Sequence, residues 1–181
     1  AELQMIDAAY KIEAAEDYFA KTYQVDLRRD SAMLWKMERL DRCVVYTRKL
    51  TEIFFRVDAE LRSLFKAVDA DSTDNLSVII TDLRKAVRTA QSELEEVEEF
   101  DGDEGLEEFV FDYLEQVNAS IDEELRPMAE TFEFQYKDQD DLADAKDQYL
   151  GYKDWHAEMN LEFKEVKAEV VTDYLEEEYY E

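Results

Sequence analysis

Apolar side chains recur every three, four or seven residues along most of the chain, the spacing that places them on one face of an α-helix. The longest pattern covers 30–69. Its inward positions are Met33, Met37, Leu40, Val44, Thr47, Phe54, Leu61, Phe65 and Val68. Read as one helix, this stretch is about 58 Å long at roughly 1.5 Å per residue. We expect it to form the central helix of the fold.

Further stripes of the same kind predict helices over 3–24, from 76 to about 100, over 106–136 and from 142 to about 174. Polar segments at 24–30, 69–75, 101–105 and 137–141 separate them. Pro127 lies inside the fourth stripe. Since proline removes a backbone donor, it predicts a kinked helix or two helices that share one face.

Short breaks between long helices favour antiparallel neighbours. We therefore expect an all-α fold, an antiparallel helical bundle of four long helices plus an additional N-terminal helix. It should form one domain over 1–181, whose acidic C-terminal tail, 176–181, frays. Three glycines and one proline in 181 residues agree with long helices, because many-turned sheets need more of both.

Charge divides the chain unevenly. Of the net charge of −27, residues 1–25 carry −3, residues 26–90 carry +2, and residues 91–181 carry −26. Such acidity excludes nucleic acid and anionic lipid as natural partners and favours a cationic protein or divalent ions. The arginines at 39, 42, 48, 56 and 62 should accordingly lie at the seams with helices from residues 91–181.

Catalytic and metal-binding motifs fail on their spacing. A ferritin-like di-iron site needs two Glu-x-x-His pairs. His156 is the single histidine and Lys153 precedes it by three, so we expect a packed core histidine. Residues 69–73 read Asp-x-Asp-x-Thr, a phosphatase nucleophile pattern that needs a preceding strand, which is not predicted here. Cys43 lacks a partner histidine and is expected to be buried and inert.

Two segments can be aligned with a calcium-binding EF-hand loop, which requires glycine at position six and glutamate at position twelve. The loop at 69–80 has Asp74 and Ile80 there, and the loop at 101–112 has Leu106 and Asp112. Neither fits. Asp101 and Asp103 are left as candidates for weak calcium binding, and no cofactor or catalytic residue is predicted.

The remaining candidates concern partners and location. Tyr179 and Tyr180 lie beyond the helical stripes and could contact a partner, or simply belong to a disordered end. The sequence contains no run of eighteen apolar residues, so no membrane span is predicted. The first residue is Ala1, as after signal-peptide removal or trimming, which favours export to the periplasm or cell surface over a cytoplasmic location.

These features favour a non-enzymatic helical interaction module, exported or surface-located. The alternative is an acidic inhibitor that mimics nucleic acid and binds a basic protein, because dense carboxylates can imitate phosphate spacing. The acidity would also follow from a merely solvated surface, which is the commoner case, or from adaptation to high salt.

The run Phe100-Asp101-Gly102-Asp103-Glu104-Gly105-Leu106, with Phe109, Phe111 and Tyr113 and then Glu123-Glu124-Leu125, resembles uncharacterised bacterial helical surface lipoproteins. The resemblance covers the helix order over about 33–175. It implies export and a helical bundle, and it carries no site residues. Such proteins bear a lipid on an N-terminal cysteine, which this sequence does not include, so the resemblance leaves anchoring open.

Overall fold

A computed structural model describes residues 11, 15, 18–19, 21–23, 31–101, 103, 105–134 and 138–176, with 31–33 described by their backbone alone. The helices are α1 (Ser31–Asp69), α2 (Leu76–Leu94), α3 (Leu106–Ser120), a π-helical turn (Ile121–Leu125), α4 (Arg126–Glu133) and α5 (Gln139–Glu176). The described residues contain no strand. The predicted all-α helical bundle is confirmed.

The chain divides into two compact units, Ala1–Glu38 and Arg39–Glu181. In the first unit the described residues from 11 to 23 are helical, and the rings of Phe19 and Tyr23 lie 4.7 Å apart. Both rings are exposed. The rest of the helix predicted over 3–24 lies outside the described residues, and the single domain over 1–181 stays a prediction.

Neighbouring helices of the second unit run antiparallel. The α1–α5 pair is joined near one end by Lys167 to Thr51 (Nζ–Oγ1 2.9 Å) and near the other by Lys153 to Asp69 (Nζ–Oδ2 2.7 Å). As residue numbers rise along α1, those of its partners on α5 fall. Gln91 contacts Glu115 while Ser77 contacts Glu133, so α2 is likewise antiparallel to the segment from α3 to α4.

An aromatic stack forms the centre of the core. The ring of Phe54 lies parallel to that of Phe163, with centroids 4.1 Å apart, and the ring of Tyr113 lies 4.5 Å from it. These three side chains come from α1, α5 and α3 and are fully buried. Burial of side chains of this size contributes about 1.5–3 kcal/mol each, so this layer fixes the three helices against one another.

The N-terminal part of α1 uses a different face from the predicted one. Met37, Leu40 and Val44 are exposed, while Cys43 and Tyr46 are buried. Further along the helix the predicted positions Phe54, Leu61 and Phe65 are buried as expected. Apolar residues on both faces of this segment made the stripe ambiguous, and the acidic helices pack against only one of them.

The end of α2 differs from the sequence pattern. The helix that begins at Leu76 ends at Leu94 instead of near Phe100. Glutamates at 95, 96, 98 and 99 explain the early end, because negative charge at a helix C-terminus opposes the helix dipole. The tail predicted to fray lies outside the described residues except for Glu176, the last residue of α5.

The segment around Pro127 is helical without a break from Leu106 to Glu133 and keeps one buried face, so the shared face predicted there is confirmed. Between α3 and α4 the ladder widens to a π-turn, in which the backbone N–H of Arg126 donates to the carbonyl oxygen of Ile121. Proline has no N–H to donate, and the wider turn accommodates this gap. Ile121, Leu125 and Met128 stay buried across the change.

Three of the five arginines of α1 bond to helices that include residues from 91–181, as predicted, and a fourth, Arg42, pairs with the loop between α2 and α3. Arg42 pairs with Asp101 (Nη2–Oδ1 2.9 Å) and Arg56 with Glu93 (Nη2–Oε1 2.9 Å). Arg39 donates to the backbone carbonyl of Tyr174 (3.1 Å), and Arg62 donates to Asn160. Arg48 bonds to Glu52 of its own helix.

None of the described helices combines the length and apolar character needed to cross a membrane.

Candidate functional site

A groove of about 700 Å³ lies where α2 ends and α3 begins. Of the described residues, five carboxylates line it and no lysine or arginine does: Glu95, Asp103, Glu107, Glu108 and Glu115. Because the bundle holds α2 and α3 side by side, acidic residues from two separate chain segments face one concavity. The groove therefore concentrates the negative charge that the sequence places in residues 91–181.

Asp103 builds the end of this groove by starting α3. Its Oδ1 accepts the backbone N–H of Leu106 (2.8 Å), and its Oδ2 accepts that of Glu107 (2.9 Å). Two backbone donors that a helix start leaves without partners are thereby satisfied. Gly105, at φ +121°, supplies a left-handed conformation that side chains disfavour.

Tyr46 of α1 fixes the same capping carboxylate. Its hydroxyl donates to Asp103 Oδ2 at 2.7 Å and lies 3.3 Å from Glu107 Oε2. Burial raises the pKa of Tyr46, and the hydrogen bond to Asp103 raises it further, so the hydroxyl stays protonated and donates. The first turn of α3, with its glutamates, is thus positioned from α1.

The carboxylates of the groove differ in how they are satisfied. Glu115 accepts a hydrogen bond from the amide of Gln91 (2.7 Å). Glu95 and Glu108 have no side-chain partner within the described parts of the chain. Phe111 lies beside them with 53% of its surface exposed. Uncompensated carboxylates next to an exposed aromatic ring suit a ligand that carries both positive charge and an apolar stem.

The calcium candidates are each engaged elsewhere. Asp101 pairs with Arg42 of α1, and the oxygens of Asp103 accept from the α3 cap and from Tyr46. Over the described residues, no three His, Cys, Asp or Glu side chains are grouped as metal ligands would be. The other predicted contact residues, Tyr179 and Tyr180, lie outside the described residues.

A second constellation joins α1 to α5 through buried polar groups. Asp58 Oδ1 lies 2.8 Å from His156 Nε2 and 2.8 Å from the amide nitrogen of Asn160, and its Oδ2 lies 2.7 Å from Arg62 Nε. Arg62 Nη2 donates to the amide oxygen of Asn160 (3.1 Å). Asp58, His156 and Asn160 are buried.

The hydrogen bonds assign the proton on His156. Both amide hydrogens of Asn160 are used, one on Asp58 and one on the backbone carbonyl of His156 (3.0 Å). His156 Nε2 therefore carries the hydrogen in its contact with Asp58. Burial alone would raise the pKa of the Asp58 carboxyl. The hydrogen bonds from His156 and Asn160, with the charge of Arg62, outweigh it and lower that pKa.

Sequence reasoning placed His156 in the core, which is confirmed, and Arg62 at a helix seam, but it missed Asp58 and Asn160. A signal was present for the first. Asp58 follows Phe54 by four and precedes Phe65 by seven, so it falls on the buried stripe of α1. A charged residue at such a position needs buried partners, and the one histidine was the natural candidate.

Cys43 is buried, as predicted. Burial raises the pKa of its thiol and outweighs the opposite effects of Arg39 and Lys167, so the protonated, unreactive form prevails.

Comparisons with protein-family models, curated proteins and solved structures find no match for this chain. The resemblance to bacterial surface lipoproteins stays a prediction.

Proposed function

We propose that this protein is a non-enzymatic helical interaction module whose α2–α3 groove binds a cationic protein. The observation that supports it most directly is the pair of uncompensated carboxylates, Glu95 and Glu108, beside the exposed ring of Phe111. A lysine or arginine side chain fits both parts. Its charge meets the carboxylates, and its aliphatic stem covers the ring.

The charge distribution supports rapid recognition of such a partner. Residues 91–181 carry −26, and they supply every described residue that lines the groove. A surface of one sign steers an oppositely charged partner and raises the association rate, an effect that salt reduces. Affinity should then depend on the contacts within the groove.

The surroundings of His156 favour binding over catalysis. Its ring contacts Asp58 and Asn160, and no hydroxyl or thiol among the described side chains bonds to it. A nucleophile activated by this histidine would need that contact.

Export to the periplasm or cell surface remains part of the proposal, resting on the sequence alone.

A peptide experiment tests the groove. A lysine- and arginine-rich peptide containing no acidic residue is titrated into the full chain by calorimetry at about 50 and 200 mM salt, the range in which electrostatic binding weakens steeply. The double variant Glu95→Gln/Glu108→Gln is compared with Glu165→Gln/Glu169→Gln, which removes two exposed α5 charges away from the groove.

We expect the groove variant to weaken binding about tenfold, since each lost ion pair at a partly exposed site contributes up to about 1 kcal/mol. The control should change it less than about twofold. Phe111→Ala should weaken it further, since a cation–π contact contributes about 0.5–1 kcal/mol at exposed sites. Equal losses in both double variants would show that only overall charge matters and would refute the groove.

The same assay separates the nucleic-acid-mimic alternative. A basic DNA-binding protein replaces the peptide, and duplex DNA is added as a competitor. If the chain and the duplex exclude one another, the inhibitor function is supported. If both bind at once, or if only the short peptide binds, the mimic is excluded and the general interaction module remains.

A further inference from the structure

We propose that a cleft between α1 and α5 binds a small oxyanion, a carboxylate or phosphate group, carried on an apolar body. The cleft measures about 770 Å³. It uses a different pair of helices from the acidic groove, and its charge has the opposite sign. The proposal is independent of the cationic partner.

The cleft is lined mainly by positive charge. Four cationic side chains line the cleft, Arg62, Lys66, Lys153 and Lys164. The single acid among its described lining residues, Asp69, is already bonded to Lys153 (2.7 Å) and to the Tyr149 hydroxyl (2.6 Å). Residues 91–181 contain six bases against thirty-two acids, and two of those six face this cleft.

Two of the lysines have no counter-charge among the described residues. Within the described part of the chain, neither Lys66 nor Lys164 contacts a carboxylate, although acids outnumber bases by more than two to one. They project from different helices, α1 and α5, toward one concavity. Unpaired cations that converge from two elements provide a place for an anion, which would bridge the helices.

Arg62 is held in position while its side chain stays accessible. Asp58 fixes its Nε at 2.7 Å and Asn160 accepts from its Nη2 at 3.1 Å, yet 60% of the side chain is exposed. A guanidinium retains further N–H donors after these two bonds, and its planar fork matches carboxylate and phosphate oxygens. The buried network therefore preorganises an arginine at the mouth of the cleft.

The walls indicate the rest of the ligand. Phe65, Ala70, Ala157 and Leu161 line the cleft, and Leu161 exposes 60% of its surface. Such a wall gains by covering an alkyl or aromatic group. A ligand with a charged head and an apolar body would meet the lysines and Arg62 with one end and Leu161 with the other.

The net charge decides between a free molecule and a lipid in a bilayer. An anionic membrane would repel the −26 carried by residues 91–181, whereas a small molecule in the cleft meets mainly the local cations. We therefore assign the cleft to a free amphiphilic anion. Both sources share one headgroup chemistry, so the test includes both.

Nuclear magnetic resonance of the full chain gives a site-specific test, because His156 is the only histidine and lines the cleft. The probes are octyl phosphate, inorganic phosphate and octanol, each titrated below the concentration at which micelles form. Vesicles of phosphatidylglycerol and of phosphatidylcholine form a second arm. The variant Lys66→Gln/Lys164→Gln is compared with Lys36→Gln/Lys85→Gln, which removes two exposed lysines outside the cleft.

We expect octyl phosphate to shift the His156 ring signals saturably, and inorganic phosphate and octanol to bind at least about tenfold more weakly because each offers half of the contacts. The variant Lys66→Gln/Lys164→Gln should bind octyl phosphate about tenfold more weakly than the wild type, and the control variant should bind it less than about twofold more weakly. Neither vesicle should bind. The proposal fails if no probe shifts His156, if octanol binds as well as octyl phosphate, if both variants respond alike, or if only anionic vesicles bind.

Discussion

Two ion pairs that involve arginines of α1 have nearly equal N–O distances and very different surroundings. Asp58 lies 2.7 Å from Arg62, and Asp101 lies 2.9 Å from Arg42. The Asp58 side chain is 3% exposed, while that of Asp101 is 69% exposed. Water solvates Asp101 whether or not the pair forms, whereas Asp58 depends entirely on its protein partners.

The distance between two charges in this bundle does not measure how much their pair contributes to stability. An exposed pair gains little because water screens it and side-chain entropy opposes it. A buried carboxylate that loses its partners bears the full cost of desolvation. The network around Asp58 should therefore matter for stability and for positioning Arg62, and the exposed pairs should be nearly dispensable.

The largest effect is expected at Asp58 itself. Replacing one partner of a buried ion pair costs roughly 3 to 5 kcal/mol, because the remaining charge stays buried without compensation. Asp58→Ala should lower the free energy of unfolding in urea by that amount. Leu161→Ala, a truncation at an exposed position of the neighbouring helix, serves as the control and should change it little. A loss below about 1 kcal/mol in Asp58→Ala would show that the network does not compensate a buried charge.

A pH titration separates the charge of Asp58 from its packing. Its pKa in the folded chain is lowered from the ordinary value of 3.8. The carboxylate's stabilisation is therefore complete above pH 3.8 and is lost as the pH falls through the folded value. Melting curves of the wild type and Asp58→Asn should differ most at neutral pH and converge in that acidic range. A difference independent of pH would contradict a charge-based role.

The sequence predicted most of the fold because its helices carry regular stripes. The bounds of α1 and α5 and the shared face across Pro127 required nothing more. It failed where two faces were apolar, as at Leu40 and Val44, since only the packed partner selects between them. The two clefts were missed for a similar reason. Each is lined from segments distant in sequence, and only the bundle brings them together.

Two tyrosines extend the comparison to neutral polar groups. The hydroxyl of Tyr46 donates to Asp103, whereas the fully buried hydroxyl of Tyr113 has no partner in the described structure. Tyr46→Phe should cost about 1.5–3 kcal/mol, the contribution of a hydrogen bond to a charged group. Tyr113→Phe should be neutral or stabilise by up to about 1 kcal/mol, because it removes an unsatisfied polar atom. Urea unfolding of both variants measures the contrast, and equal losses would mean that Tyr113 is bonded after all.

The smallest effect is expected at the exposed pair. Asp101→Ala should change the free energy of unfolding by no more than about 1 kcal/mol, the upper range for solvated ion pairs. Arg42 also contacts the ring of Phe100, with its Cζ 5.9 Å from the ring centroid. A double-mutant cycle with Arg42→Ala separates the coupling between Arg42 and Asp101 from this ring contact. A coupling of about 0.2–1 kcal/mol that disappears in high salt is the expected result. A coupling of about 3 kcal/mol or more, the size expected for the loss of Asp58, would remove the distinction, because exposure would then no longer decide what an ion pair contributes in this bundle.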